Sequence, residues 1–156
     1  MEKHFELTQE YKINFLGIKL FRIKATKKSK YVNEGELGGW VEKEECLSGD
    51  AWVSGNAEVY GNAEVYGDAR VSGNARVYGD AETKSNNDYC CFQNFGSVNR
   101  TTTFFKEKDN KIKVSCGCFS GSIEEFEKEV RKTHGEGKNA KEYISIIEVV
   151  KIKFGL

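Results

Sequence analysis

The central part of the chain repeats with a period of six residues. Aliphatic side chains recur at one phase of this period, at Leu47, Val53, Val59, Val65, Val71 and Val77. Each is followed after two residues by glycine, then by asparagine or aspartate, then by alanine. An α-helix repeats about every 3.6 residues and a flat strand about every two, so neither explains this spacing. The period is typical of a hexapeptide β-solenoid, in which each hexad forms one short strand and one corner.

Three hexads close one coil, so the repeat predicts about two coils of a left-handed β-helix. Stacking three hexads apart then pairs Val53 with Val71 inside the coils and Tyr60 with Tyr78 outside them. Two coils are too short to bury a core unaided, and both ends expose open strand edges. Flanking segments must therefore cap the stack, or subunits must associate. We expect a homo-oligomer, with a trimer favoured by analogy with other triangular solenoids.

Aromatic residues occupy outward positions of the hexads. They are Trp52, Tyr60, Tyr66 and Tyr78. An exposed row of this kind predicts an interface with another copy of the chain or with a host protein. Solvated tyrosines on a β surface are the alternative.

The pattern predicts a mixed fold in three parts. These are N-terminal strands that cap the solenoid at 1–37, the hexapeptide-repeat β-solenoid at 38–83, and an α+β domain at 84–156. In the last part, a capping box of Ser122 and Glu125 predicts a helix that ends near His134. A second helix is predicted from about Asn139. The final stretch from Val150 to Phe154 also alternates, so it is compatible with a strand.

Composition narrows the classes of function. Lysine plus arginine and aspartate plus glutamate each number 24, and this balance argues against a dedicated or sequence-specific nucleic-acid binder. No apolar run approaches the roughly 18 residues of a membrane helix. The start of the chain lacks the basic and apolar segments of a signal peptide, so we expect a cytoplasmic protein. Five cysteines, an odd number, fit reduced thiols better than a disulfide framework.

A basic run lies between Lys19 and Lys30. It contains six lysines and arginines and no acidic residue. Such a run suits a phosphate-bearing ligand or an acidic partner, and it equally suits a solvated loop.

The stretch from Gly96 to Thr103 carries the most suggestive chemistry. One arginine stands beside an amide and several hydroxyls, at Asn99, Arg100, Thr101, Thr102 and Thr103. A guanidinium fork with neighbouring hydroxyl donors suits an anionic or nucleotide-type ligand. The alternative is a threonine-rich strand selected for β propensity alone.

The segment from Cys116 to Gly121 is predicted to be a loop that leads directly into the capped helix. Backbone N–H groups at a helix N-terminus bind anions and glycine permits close approach, so Gly117, Ser120 and Gly121 are candidate ligand contacts. Phe119 and Tyr143 are candidate stacking surfaces for a base. His134 is a candidate donor, although a histidine at a helix C-terminus is also favoured by the helix dipole.

The sequence lacks the usual signatures of a metal site and of a catalytic site. Neither Cys90-Cys91 nor Cys116-x-Cys118 has the spacing of a structural zinc knuckle, so no metal or other cofactor is expected. The chain has two histidines, neither in the repeats, and no serine-histidine-aspartate arrangement or phosphate-binding Walker loop. We therefore expect a protein that is not an enzyme. A hexapeptide-type acyltransferase stays open as an alternative, because such solenoids often host that activity.

Several motifs resemble a broad family of phage and prophage hexapeptide-repeat proteins that carry a C-terminal α+β domain. The motifs are Gly35–Glu42, the Gly-Asn-Ala and Gly-Asp-Ala hexads, Asn99–Phe105, Val114–Gly121 and Thr133–Gly135. The chain departs from the family at Glu45-Cys46, where an asparagine usually precedes Leu-Ser. The family is mostly of unknown function, so the resemblance implies a phage source acting in the host cytoplasm and not a mechanism.

Small oligomeric phage proteins of this size include counter-defence factors that sequester nucleotide immune signals. By that analogy we expect a non-catalytic oligomeric protein that captures a small anionic nucleotide-type signal. The alternative is a protein-binding module that inhibits a host defence protein directly through the aromatic face of the repeats.

Overall fold

The computed structural model describes residues 3–156. The N-terminal strands are β1 (Phe5–Ile13), β2 (Lys19–Ala25) and β3 (Leu37–Val41). The hexads form six two-residue strands, β4 (Trp52–Val53), β5 (Glu58–Val59), β6 (Glu64–Val65), β7 (Arg70–Val71), β8 (Arg76–Val77) and β9 (Glu82–Thr83). The remaining elements are β10 (Tyr89–Phe95), β11 (Arg100–Lys106), β12 (Ile112–Cys116), β13 (Phe119–Ser122), α1 (Ile123–His134) and α2 (Lys138–Phe154). Short 3₁₀ turns lie at Glu44–Cys46 and Asn86–Asp88.

The strands are distributed among several sheets. A five-stranded mixed sheet has the order β1-β2-β3-β5-β8, and a four-stranded antiparallel sheet has the order β10-β11-β12-β13. Two further sheets contain two parallel strands each, β4-β7 and β6-β9. The N-terminal strands therefore share one hydrogen-bonded sheet with β5 and β8.

The predicted fold class, a left-handed β-helix between a separate N-terminal cap and a C-terminal lobe, is wrong. The hexad strands are divided among three sheets, and one of these sheets continues into an antiparallel hairpin. Strand β3 is the point of continuation, because Val41 pairs antiparallel with Phe21 and parallel with Val59. A period of six specifies which hexad residues face inward, but it does not specify which flanking strand joins the edge of their sheet.

The parallel pairs themselves follow the spacing of three hexads. Val53 pairs with Val71, and Val59 pairs with Val77. The paired valines and the alanines of the hexads are buried together in one core with Phe105. Glycine is required at each corner by its positive φ, which is +70° at Gly61, and a Cβ there would lie 3.0 Å from the Gly79 nitrogen.

Side chains of the C-terminal part cap the open edge of the last hexads. The Arg70 N–H donates to Asn86 Oδ1 at 2.8 Å, and the Arg76 N–H donates to Thr103 Oγ1 at 3.1 Å. These bonds replace the strand that a further hexad would supply. They also fix β11 against β8, which places the start of β11 beside the outer face of the mixed sheet.

Both helices pack on one face of the antiparallel sheet. Phe104 of β11 and Val114 of β12 share a buried core with Phe126 of α1 and with Tyr143 and Ile147 of α2. Aromatic edges provide much of this contact, with ring centroids 5.5 Å apart for Phe126 and Tyr143.

Helix α1 has the predicted boundaries. The Glu125 N–H donates to Ser122 Oγ at 3.1 Å, and the Ser122 N–H donates to Glu125 Oε1 at 3.0 Å. The predicted loop before it is wrong, because Phe119–Ser122 forms strand β13 against β12. The residues after Val150 continue α2 to Phe154 and form no strand. Across residues 3–156, no helix combines the length and the apolar character needed to cross a membrane.

Candidate functional site

The side chain of Arg100 occupies space that is free because Gly117 has no side chain. Arg100 begins β11 and faces the two-residue turn between β12 and β13, where Cys116 pairs with Phe119. Gly117 in this turn has φ +58°, as the first position of a tight hairpin requires. The guanidinium of Arg100 lies directly over Gly117, in the space that a side chain there would fill.

One cavity next to Arg100 is walled by aromatic rings. This aromatic cavity has a volume of about 520 Å³. Its lining includes Phe119, Phe126, His134 and Tyr143, together with the charged residues Arg100 and Glu129. The His134 ring stacks on Tyr143 with centroids 6.0 Å apart and planes 26° apart. The arrangement suits a planar ring with a polar substituent that faces Arg100.

A buried chain of polar groups holds Tyr143 at the floor of the aromatic cavity. Its hydroxyl donates to the Phe95 carbonyl at 3.3 Å and accepts from Cys116 Sγ at 3.8 Å. The Thr102 hydroxyl in turn donates to Cys116 Sγ at 3.2 Å. Gly96 permits this approach, since a side chain there would collide with the phenol. Burial is the main cause that raises the pKa of Tyr143 to about 12.

A second cavity lies on the other side of Arg100 and is rich in cations. This cationic cavity, of about 370 Å³, carries the charged residues Lys12, Glu58, Arg76 and Arg100. Lys12 Nζ lies 3.0 Å from Glu58 Oε2. The Arg76 guanidinium lies 4.6 Å from the centroid of the Phe15 ring. Within residues 3–156, neither Arg76 nor Arg100 forms an ion pair with a carboxylate.

The structure brings most of the sequence-predicted ligand residues to one of the two cavities. Arg100, Phe119, His134 and Tyr143 line the aromatic cavity. Arg100, Thr101, Thr103 and Gly117 line the cationic cavity. Arg100 belongs to both, so it forms their shared wall.

Four predicted ligand residues line neither cavity, namely Asn99, Thr102, Ser120 and Gly121. Thr102 is fully buried and its hydroxyl is used by Cys116. At the N-terminus of α1, the Ser122 and Glu125 N–H groups are bonded within the capping box, and an anion site there stays a prediction. The Thr103 hydroxyl lines the cationic cavity while it accepts the Arg76 N–H.

Sequence reasoning missed six of the ten residues that line the cationic cavity. The missed residues are Lys12, Asn56, Glu58, Asn74, Arg76 and Ser115. The hexad spacing already stacks Glu58 on Arg76, and their strands are paired in that register. Glu58, however, forms its ion pair with Lys12 of β1, which no local pattern relates to the hexads.

Two of the four aromatic residues predicted to form an exposed interface, Trp52 and Tyr60, are buried. Tyr60 stacks on Tyr78 with centroids 4.9 Å apart and planes 3° apart, but Tyr60 is only 1% exposed. Leu20 and Trp40 cover it, because β2 and β3 extend the same sheet. Trp52 is 2% exposed. A docking role for the half-buried Tyr66 and Tyr78 stays a prediction.

The basic run lies apart from both cavities. None of its six lysines and arginines lines either one. Arg22 donates to the Gly38 carbonyl and to Glu10, and Lys30 pairs with Asp68. The run is therefore not the source of the positive charge around Arg100.

The cysteines are free thiols, and the described residues contain no group of histidine, cysteine, aspartate or glutamate side chains placed to hold a metal ion. Burial raises the pKa of the Cys90 thiol to about 11, which keeps it protonated at neutral pH.

Comparison with protein-family models finds no match for this chain, and comparison with curated proteins finds none either. The resemblance to phage hexapeptide-repeat proteins therefore stays a prediction, and the functional argument rests on the two cavities that meet at Arg100.

Proposed function

We propose that this chain is a non-catalytic binding protein for a small anionic ligand with a planar ring, a nucleotide-type molecule. The observation that supports the proposal is the position of Arg100 between the aromatic cavity and the cationic cavity. A molecule that carries a flat ring at one end and negative charge at the other matches the chemistry of both cavities at once.

The ring of the ligand enters the aromatic cavity in this proposal. Phe119 and Tyr143 supply stacking surfaces, and base stacking on an aromatic side chain contributes about 1–3 kcal/mol. His134 stands beside Tyr143 and offers a ring nitrogen to a polar edge of the base. The anionic group faces Arg100, whose fork donates two parallel hydrogen bonds to one phosphate.

The biological setting of this binding is proposed from the family resemblance alone. A phage-encoded protein of this kind sequesters a nucleotide immune signal in the cytoplasm of the host. A homo-oligomer, with a trimer favoured, belongs to the same proposal.

Isothermal titration with a panel of nucleoside monophosphates and cyclic nucleotides tests the binding. We expect Arg100→Ala to weaken the tightest ligand by about tenfold or more, because a charge-assisted hydrogen bond contributes about 1.5–3 kcal/mol. Arg131→Ala is the matched control, since Arg131 is exposed on α1, pairs with Glu127 and lines neither cavity. Equal affinity of the wild type and Arg100→Ala, with both folded by circular dichroism, would overturn the proposal.

A further inference from the structure

We infer that the cationic cavity is the subsite for a phosphomonoester dianion, so that the ligand is a nucleotide with a terminal phosphate and not one with phosphodiester groups alone. This inference rests on the proposed function, because it assigns the charged end of the same ligand.

The charge of the cationic cavity is the first reason. Lys12, Arg76 and Arg100 contribute three positive charges, and Glu58 is the one carboxylate among the lining residues, so two positive charges remain. Like charges around a small cavity repel one another, and a bound anion removes that repulsion. A dianion neutralises the excess, whereas a monoanion leaves half of it.

The cations are held in place by separate parts of the fold. The Arg76 backbone is bonded to Thr103, and its guanidinium lies over Phe15. Lys12 is held by the Glu58 carboxylate and lies 4.7 Å from the centroid of the Trp40 ring. Arg100 lies over Gly117 from the opposite side. Cations fixed before binding lose little further freedom when the anion arrives.

Neutral donors complete the subsite. Asn56 and Thr101 line the same cavity, and so does Ser115, which is only 3% exposed. A phosphomonoester offers three acceptor oxygens and carries about −1.5 to −2 charges at pH 7. A phosphodiester carries one charge and two free oxygens. The two guanidinium forks, the ammonium and the hydroxyls therefore match the monoester better.

The test compares ligands that share base and sugar and differ in the phosphate. Wild-type protein is titrated with each ribonucleoside 5′-monophosphate, the matching 3′,5′-cyclic monophosphate and the free nucleoside. We expect the best 5′-monophosphate to bind about tenfold or more tightly than its cyclic partner, since it adds one negative charge within reach of the cations. Raising the salt concentration should narrow this difference through screening.

Two substitutions at equivalent hexad positions test whether Arg76 is responsible for the preference for the monophosphate. Arg76→Ala should remove most of the preference for the monophosphate, because the loss of a cation weakens binding of a dianion more than binding of a monoanion. Arg70→Ala is the control, since Arg70 holds the same hexad position and also lies over an aromatic ring, that of Tyr31, but lines neither cavity.

The outcomes separate this inference from the proposed function. Binding of cyclic and 5′-monophosphates with equal affinity, or an unchanged preference in Arg76→Ala, overturns the subsite and leaves nucleotide binding at Arg100 in place. Binding of none of these probes overturns the proposed function and the subsite together. A preference that disappears in Arg76→Ala and persists in Arg70→Ala supports both.

Discussion

The guanidinium of Arg100 rests on the bare backbone of Gly117, in the space that a Cβ atom there would fill. Arg100 begins β11, and Gly117 lies in the turn between β12 and β13, where Thr102 pairs with Cys116 beside them. Glycine therefore has two functions in this turn. It adopts φ +58°, and it lets a cation approach the backbone closely enough to separate the two cavities.

Gly117→Ala should weaken ligand binding beyond what its effect on stability explains. The methyl group displaces Arg100, and the positive φ costs about 1–2 kcal/mol for any residue with a Cβ. We expect nucleotide affinity to fall by about tenfold or more, in line with the loss of a charge-assisted hydrogen bond. Titration calorimetry and urea unfolding measure the two effects separately.

Gly135→Ala is the matched control for that substitution. Gly135 has φ +60°, but a Cβ there meets no atom within 4 Å. The control should lose similar stability and keep full affinity. A comparable loss of affinity in both variants would show that Gly117 acts through stability and not through Arg100.

Thr103→Val should destabilise the protein although it keeps the shape of the side chain. The substitution leaves the Arg76 N–H at the open edge of β8 without its acceptor, which costs about 1–3 kcal/mol for a group shielded from water. Thr101→Val, on the same strand, is the comparison and should change the free energy of unfolding by less than about 0.5 kcal/mol. Equal urea midpoints for wild type and Thr103→Val would mean that water replaces the hydroxyl at no cost.

Much of the pairing between hexads could be predicted from the sequence, and the larger sheet could not. Val53 and Val71 are parallel neighbours because a spacing of three hexads fixes both the inward face and the partner. The antiparallel pairing of Phe21 with Val41 depends on how the hairpin of β1 and β2 packs against the edge of the sheet that contains β3, β5 and β8. That docking is tertiary and leaves no periodic trace, so the fold class was predicted wrongly and Tyr60 was expected to be exposed.

The residues of the candidate site could likewise be predicted only in part from the sequence. Arg100 stands out in the sequence as a cation among hydroxyls, and the structure places it at both cavities. Lys12 and Arg76 reach the cationic cavity through pairing between distant segments, so no local motif identifies them. The small residues of the segment from Cys116 to Gly121 predict a loop, yet pairing of Ser120 with Ser115 places Phe119–Ser122 in a strand.

Tyr143→Phe should change the free energy of unfolding by a constant amount below about pH 10 and by an amount that depends on pH above it. The pKa of Tyr143 is raised from 10.0 to about 12 in the folded state, chiefly by burial. The stability that this raised pKa gives the folded state is complete below pH 10. It is lost as the pH rises towards 12, because the phenol of the unfolded chain ionises first. Each pH unit in that window costs the wild type up to about 1.4 kcal/mol.

Urea unfolding between pH 9 and pH 12 checks this expectation. The difference in unfolding free energy between wild type and Tyr143→Phe should shrink steadily above about pH 10. Tyr11→Phe, at a side chain that is 55% exposed, serves as the control. A difference that stays constant across the range would show that the pKa of Tyr143 in the folded protein is not raised above that in the unfolded chain.

Tyr60→Phe should leave the stability of the protein unchanged or raise it. The Tyr60 hydroxyl is buried and has no hydrogen-bond partner among the described residues, while its ring stacks on Tyr78 and is covered by Leu20 and Trp40. Removal of an unsatisfied buried hydroxyl relieves a desolvation cost of about 1–3 kcal/mol and keeps the ring contacts.

Tyr60→Ala separates the ring from the hydroxyl. Loss of a fully buried aromatic ring costs about 3–5 kcal/mol, so this variant should unfold at a much lower urea concentration. The effect should appear equally in dilute and concentrated protein, because Leu20, Trp40 and Tyr78 of the same chain form the contacts. If Tyr60→Ala lowers stability only at concentrations where subunits associate, the ring belongs to an interface between chains, and its burial within one chain is not the reason for its effect.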